Sequence, residues 1–183
     1  MSYKRWIFIA ILLFGIGLVL GLVVTPTSIT GFLFEDITAL EELSDILVPF
    51  QFLTVIIIFF KNVSVLLLSF VLSPILCLAP VLALTVNGWF LALVSAVIVQ
   101  EESISYLLAG LLPHGIFELP AFILGQAAAL SFGAMTMLVL FRKERRNQMP
   151  SVFKQNLKYL VIAVALLLPA AIIETFFTPL LLT

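Results

Sequence analysis

From residue 63 to residue 100 the chain carries no Asp, Glu, Lys, Arg or His. Between Glu102 and Arg142 only His114 and Glu118 interrupt an equally apolar stretch. Crossing roughly 30 Å of hydrocarbon as a helix takes about 20 apolar residues, and runs of this length supply them. Of the 183 residues, 63% are hydrophobic and 10% charged, against about half and about a quarter in soluble domains. The chain therefore reads as a single all-α, polytopic integral membrane domain over residues 1–183, multi-pass in the cell membrane. No hydrophilic stretch leaves room for a soluble catalytic domain. The net charge of −1 and the absence of a long basic patch exclude a nucleic-acid partner. Cys77 is the only cysteine, so no internal disulfide or cysteine metal cluster forms.

Within the long apolar stretch, residues 112–120 read Leu-Pro-His-Gly-Ile-Phe-Glu-Leu-Pro. An ionisable side chain at the centre of a bilayer costs at least about 2.5–3.5 kcal/mol on insertion scales, so His114 and Glu118 should face protein or a water-filled cavity. Four apart on a helix, they share a face and hold one another's charge or hydrogen bond. Pro74, Pro80, Pro113, Gly115 and Pro120 are expected to break helices or admit close approach. Asn62, Asn87, Gln126 and Glu174 complete the expected intramembrane polar set, Glu174 doubling as a candidate boundary residue.

The spans follow from charge and length. Residues 6–24 form the first, since no small-x-small cleavage site suggests a removed signal peptide. Gly17 and Gly21, with Gly15 nearby, read as a close-packing seam inside the bundle rather than a dimer seam. Among the acids of residues 35–45, Ile37, Leu40, Leu43 and Leu47 recur at helical spacing, predicting an amphipathic surface helix on the outer side. A second span, residues 46–60, ends at Lys61, the only basic residue between Arg5 and Arg142, which marks a return to the inner side. Further spans are expected at 81–99, 116–141 and 159–182. A re-entrant helical piece is expected at 104–113, because ten residues are too few to cross, and another at 63–79, where a full span is the alternative, because Glu101 and Glu102 then fall outside. Shifted by 39 residues, Pro74 meets Pro113 and Asn87 meets Gln126, which suggests inverted repeat units at 63–99 and 103–141. Residues 142–158 hold six Lys or Arg against Glu144 alone, so they and the N-terminus should be cytoplasmic.

No catalysis is expected. A zinc protease of the HExxH type needs two histidines where the chain has one, and there is no nucleophile elbow and no intramembrane Asp. His114, Glu118 and Glu174 could hold a metal by ligand type. None is expected, because structural zinc takes four mostly nitrogen or sulfur ligands and only His114 and Cys77 offer them. No cofactor is expected either.

Residues 112–121 resemble the signature of the stage II sporulation protein M family. Asn62 resembles that family's asparagine after the second span, where Asn-Asn is common and this chain has Lys61-Asn62. Asn87-Gly88 matches its Asn-Gly, and Ile173-Glu174 with Thr178-Pro179 matches its C-terminal pattern. Gly125-Gln126-Ala127 departs from the Ala-Gly pairs usual there, so packing should differ locally. The resemblance covers roughly residues 60–183. It implies a membrane component of an engulfment complex that works with peptidoglycan-degrading enzymes, without being the hydrolase, and a more general task in organisms that do not sporulate.

Two functions are left standing. One is a channel or transporter passing an ion or small solute by the polar site. The other is a scaffold anchoring a membrane or extracytoplasmic protein partner, with the polar groups structural. Beyond the lipid bilayer no partner is named by the residues, and a homo-oligomer is compatible with either.

Overall fold

The computed structural model describes residues 3–23 and 49–182. The expected amphipathic helix around Ile37–Leu47 lies outside the described residues. Five long helices carry the fold: α1 (Tyr3–Val23), α2 (Phe52–Leu72), α3 (Leu78–Glu101), α4 (Ile104–Phe141) and α5 (Met149–Phe176). A 3₁₀ turn, Lys143–Gln148, leads into α5, and a short α6 (Thr178–Leu181) follows it. Five candidate spans, the last comprising the 3₁₀ turn and α5, are long and apolar enough to cross a membrane. No strand occurs among the described residues.

Neighbours across the helix seams give the helix directions. Gly17 lies against Thr85, and Gly21 against Trp89 and Ala92, so α1 and α3 run parallel. Asn62 meets Glu118 and Ser69 meets Gln126, so α2 and α4 run parallel. Phe50 N–H donates to Thr175 carbonyl at 3.3 Å, while Phe70 packs near Phe153, which opposes α2 to α5. The helices thus alternate along the chain. Glu101 and Glu102 sit at one end of the bundle, and the basic 3₁₀ turn sits at the other.

The α1–α3 seam is built by glycine. A Cβ at Gly17 would collide with Thr85 carbonyl oxygen, and one at Gly88 with Phe14 carbonyl oxygen. Only glycine lets two helix backbones approach this closely. The expected intra-bundle use of the Gly17–Gly21 pair is what the structure has. Gly15 faces open space instead.

Several expected boundaries are corrected. The second span does not end at residue 60, since α2 runs unbroken through Lys61 and Asn62 to Leu72. Lys61 is therefore a mid-helix residue and not a mark of the inner face. It lies on the exposed side of α2, where a long alkyl stem can carry the ammonium away from the centre. Residues 63–79 are not a separate hairpin: they comprise the second half of α2, a turn, and the start of α3. Residues 104–113 are likewise the first turns of α4, which continues through Pro113 and Pro120 for 38 residues. A proline deletes one backbone donor and crowds the carbonyl four residues earlier, here Ala109 and Ile116. In a lipid setting a full break would strand many more backbone groups, so the helix persists. Pro74 does sit in a turn, between α2 and α3, whereas Pro80 is tolerated in the first turn of α3. Of the two units, 63–99 is the second half of α2 plus α3, whereas 103–141 is the single helix α4.

The turn after α2 is tight. Leu76 and Cys77 both take positive φ, 53° and 55°, and Ser73 Oγ donates to Phe70 carbonyl at 2.8 Å. Gly133 of α4 accommodates this turn, because a Cβ there would strike Ser73 carbonyl oxygen and Cys77 Sγ. At the opposite end Ser103 caps α4, its Oγ accepting from Tyr106 N–H at 3.1 Å. The core lies where α4 crosses the bundle, around Leu66, Leu84, Ala127, Ala128, Leu130 and Leu167.

A polar cluster between two cavities

Four helices bring the site together. From α4, His114 and Glu118 share a face one turn apart, with His114 Nε2 3.8 Å from Glu118 Oε2. From α2, Asn62 Nδ2 donates to Glu118 Oε1 at 3.0 Å. From the end of α5 comes Glu174, and from the start of α6 Thr178, whose Oγ1 is 3.4 Å from His114 Nδ1. Thr178 Oγ1 also lies 3.3 Å from Ile173 carbonyl, to which it donates. One ligand atom each of His114, Glu118 and Glu174 falls within 4.8 Å of the others.

Thr178 is tied to this place by backbone geometry. Phe177 separates α5 from α6, and Pro179 in the first turn of α6 suits a fresh helix start. The hydroxyl is thereby turned back onto α4. Glu174, two residues before the end of α5, is partly buried and lies with His114 and Glu118.

Cavities flank the cluster on both sides. One, of about 230 Å³, is bordered by Lys61, Asn62, Asn87, Phe90, Glu118 and Phe122. The other, of about 300 Å³, lies toward the acidic end and is bordered by Ser95, Tyr106, His114, Glu174, Thr178 and Leu182. Leu91, Val94 and Leu111 border both. The imidazole and Glu174 thus face one cavity while Glu118 faces the other. Gly115, beside them, has only Leu111 near its missing Cβ, so it leaves space at the first cavity.

Not all of the expected polar set converges. Asn87 borders the first cavity but spends its amide on Ala83 carbonyl of its own helix, at 2.7 Å. Gln126 lies two turns beyond Glu118, fully buried, donating to Ser69 Oγ at 3.1 Å. Its Oε1 has no hydrogen-bond partner. Leu66, 1% exposed, packs on Gly125 between these two polar pairs and separates them.

Three residues escaped the sequence reading. Thr178 was visible only as part of a Thr-Pro pair. Lys61 was treated as a boundary, although it borders the first cavity beside Asn62. Asn156, 1% exposed with Nδ2 unpartnered, sits in the basic segment. Its phase with the buried Leu160, Ala163 and Leu167 of α5 is the signal that marks it as inward-facing.

Chemically, the cluster offers one imidazole and two carboxylates, oriented by an amide and a hydroxyl from other helices. Such a set can hold a cation or pass a proton.

The family described as stage II sporulation protein M matches residues 10–179. An uncharacterized protein of Methanocaldococcus jannaschii is 28% identical over 120 residues, covering 65% of this chain and 67% of that protein. A second uncharacterized protein of the same organism is 28% identical over 116 residues, covering 62% of this chain and 50% of that protein. No solved structure matches.

Proposed function

The chain belongs to the stage II sporulation protein M family, and on that premise we propose that it is a multi-pass cell-membrane protein that moves an ion or small solute past His114, Glu118 and Glu174. The observation that carries this reading is the position of the cluster between two cavities, Glu118 facing one while His114 and Glu174 face the other. Ionisable groups at membrane depth are costly, and transport paths are where such groups are commonly used. The protein is non-enzymatic in this reading.

The alternating helices supply an orientation. With residues 142–158 inside, the N-terminus and the α2–α3 turn are also inside, while Glu101, Glu102 and the end of α5 are outside. This arrangement satisfies the positive-inside rule with five full spans. The second cavity then lies toward the outside, and Leu66 closes the way from Glu118 toward Gln126 and the inside.

A second reading is favoured by the same hydrogen bonds. Asn62 ties α2 to α4 through Glu118, and Thr178 ties α6 to α4 through His114. A scaffold that docks a protein partner would need that rigidity and no path. Liposome reconstitution separates the two. The transport reading expects flux of protons or cations in the native chain and its loss in His114→Ala and Glu118→Gln. A native chain that is silent under every imposed gradient, with both variants less stable, leaves the scaffold.

A further inference from the structure

We propose that His114, Glu118 and Glu174 form a binding site for a divalent first-row transition-metal ion, which, resting on the transport reading above, is the ion the protein moves. The argument starts from what each ligand atom is already doing. Thr178 donates its own proton to Ile173 carbonyl, so its oxygen accepts from His114 Nδ1. That contact places the imidazole proton on Nδ1 and leaves the lone pair on Nε2. Nε2 points toward Glu118 Oε2 across 3.8 Å, beyond hydrogen-bond length. Two electron-rich atoms therefore face each other with a gap between them. Asn62 engages the other carboxylate oxygen, Oε1, and keeps Oε2 turned to the same gap.

This is the pattern of an oriented metal site. Ligating histidines commonly donate their second ring nitrogen to a fixed acceptor, and ligating carboxylates are themselves hydrogen-bonded. Both supports here come from helices other than the one carrying the ligands. Glu174 brings a second carboxylate within the same 4.8 Å. Two carboxyl groups so close in apolar surroundings repel one another when both are ionised, and a dication placed among them offsets both.

The donor set selects the ion. Magnesium and calcium prefer all-oxygen shells, whereas an imidazole with carboxylates suits zinc, manganese and iron. Three protein ligands leave coordination positions open to water, unlike a closed structural site. Cavities on both sides of the ligands provide the entry and exit that a cargo ion needs.

The test uses the full chain in detergent, stripped with a chelator and dialysed against Zn²⁺ or Mn²⁺ in the presence of excess Mg²⁺ and Ca²⁺. One Zn²⁺ retained per chain is expected, with nitrogen and oxygen scatterers at about 2.0–2.1 Å by X-ray absorption and no sulfur. His114→Ala and Glu174→Gln should lose the ion. Thr178→Val and Asn62→Leu, which alter only the supports, should weaken it by about 10–100-fold. No retained metal, sulfur in the coordination shell, or unchanged affinity in Glu174→Gln overturns the site, and the native spectrum decides even if a variant fails to fold. Proton flux without metal binding also overturns the site and leaves the transport reading standing. Bound Zn²⁺ without any flux supports the site and overturns its role as cargo.

Discussion

Asn62 and Glu118 lie 56 positions apart in sequence, yet the amide of one donates to the carboxylate of the other at 3.0 Å and joins α2 to α4. The bond fixes which carboxylate oxygen is free. It also makes the asparagine after Lys61 part of the site rather than the end of a span.

Replacing Asn62 should therefore cost stability as well as function. Asn62→Leu is expected to lower the unfolding free energy by about 1–3 kcal/mol, the range for a hydrogen bond to a charged group. Asn62→Asp should cost more, because a second carboxylate would face Glu118. Thermal unfolding in detergent, compared with the native chain, measures both.

Two glycines of the first and third helices make a matched pair of tests. Gly88→Ala forces a methyl into Phe14 carbonyl and should destabilise by about 1–3 kcal/mol, as overpacking does. Gly15→Ala meets nothing within 4 Å and should be neutral or stabilising by up to about 1 kcal/mol through helix propensity. Equal melting temperatures for the two variants would contradict the seam.

Leu66 separates the Asn62–Glu118 pair from the Ser69–Gln126 pair. Leu66→Ala should cost about 2–4 kcal/mol for the void it leaves beside Gly125. In liposomes the same variant should leak more than the native chain, because the apolar barrier between the two polar pairs is gone. Leakage unchanged would remove Leu66 as the barrier.

Orientation has its own measurement. In a Cys77→Ser background, a cysteine replacing Glu102 should react with an impermeant reagent from outside the cell, and one replacing Ser151 only after the membrane is opened. The reverse pattern would invert the proposed topology.

How far the sequence carries depends on which physical signal is local. Apolar length announces the long helices, and the four-residue spacing of His114 and Glu118 places both on one face, as found. Glycine spacing marks α1 as closely packed inside the bundle, without naming α3 as its partner. The errors arose where one residue had to stand for an environment. Lys61 looks like a membrane boundary in any linear reading, because the side of α2 that carries it is set only when α4 and α5 pack on the other. Pro113 and Pro120 look like breaks, because their cost in isolation ignores the larger number of backbone groups that a break would expose. Asn62 to Glu118 and His114 to Thr178 are contacts between distant helices, and no spacing along one helix encodes them. Asn87 and Gln126 matched at a common offset, but one amide turns to its own helix and the other to Ser69.

The glycine seam also decides what can move. With Gly17 and Gly88 set into the opposing backbone, α1 and α3 cannot slide past one another without a clash, so they behave as one rigid body. On the transport reading, any opening of a passage beside Glu118 then falls to α2, which packs far less extensively on α3 than α1 does. If the protein transports, α1–α3 would be the frame and α2 the gate leaf: a cross-link between α1 and α3 should leave flux untouched, while one between α2 and α3 should stop it.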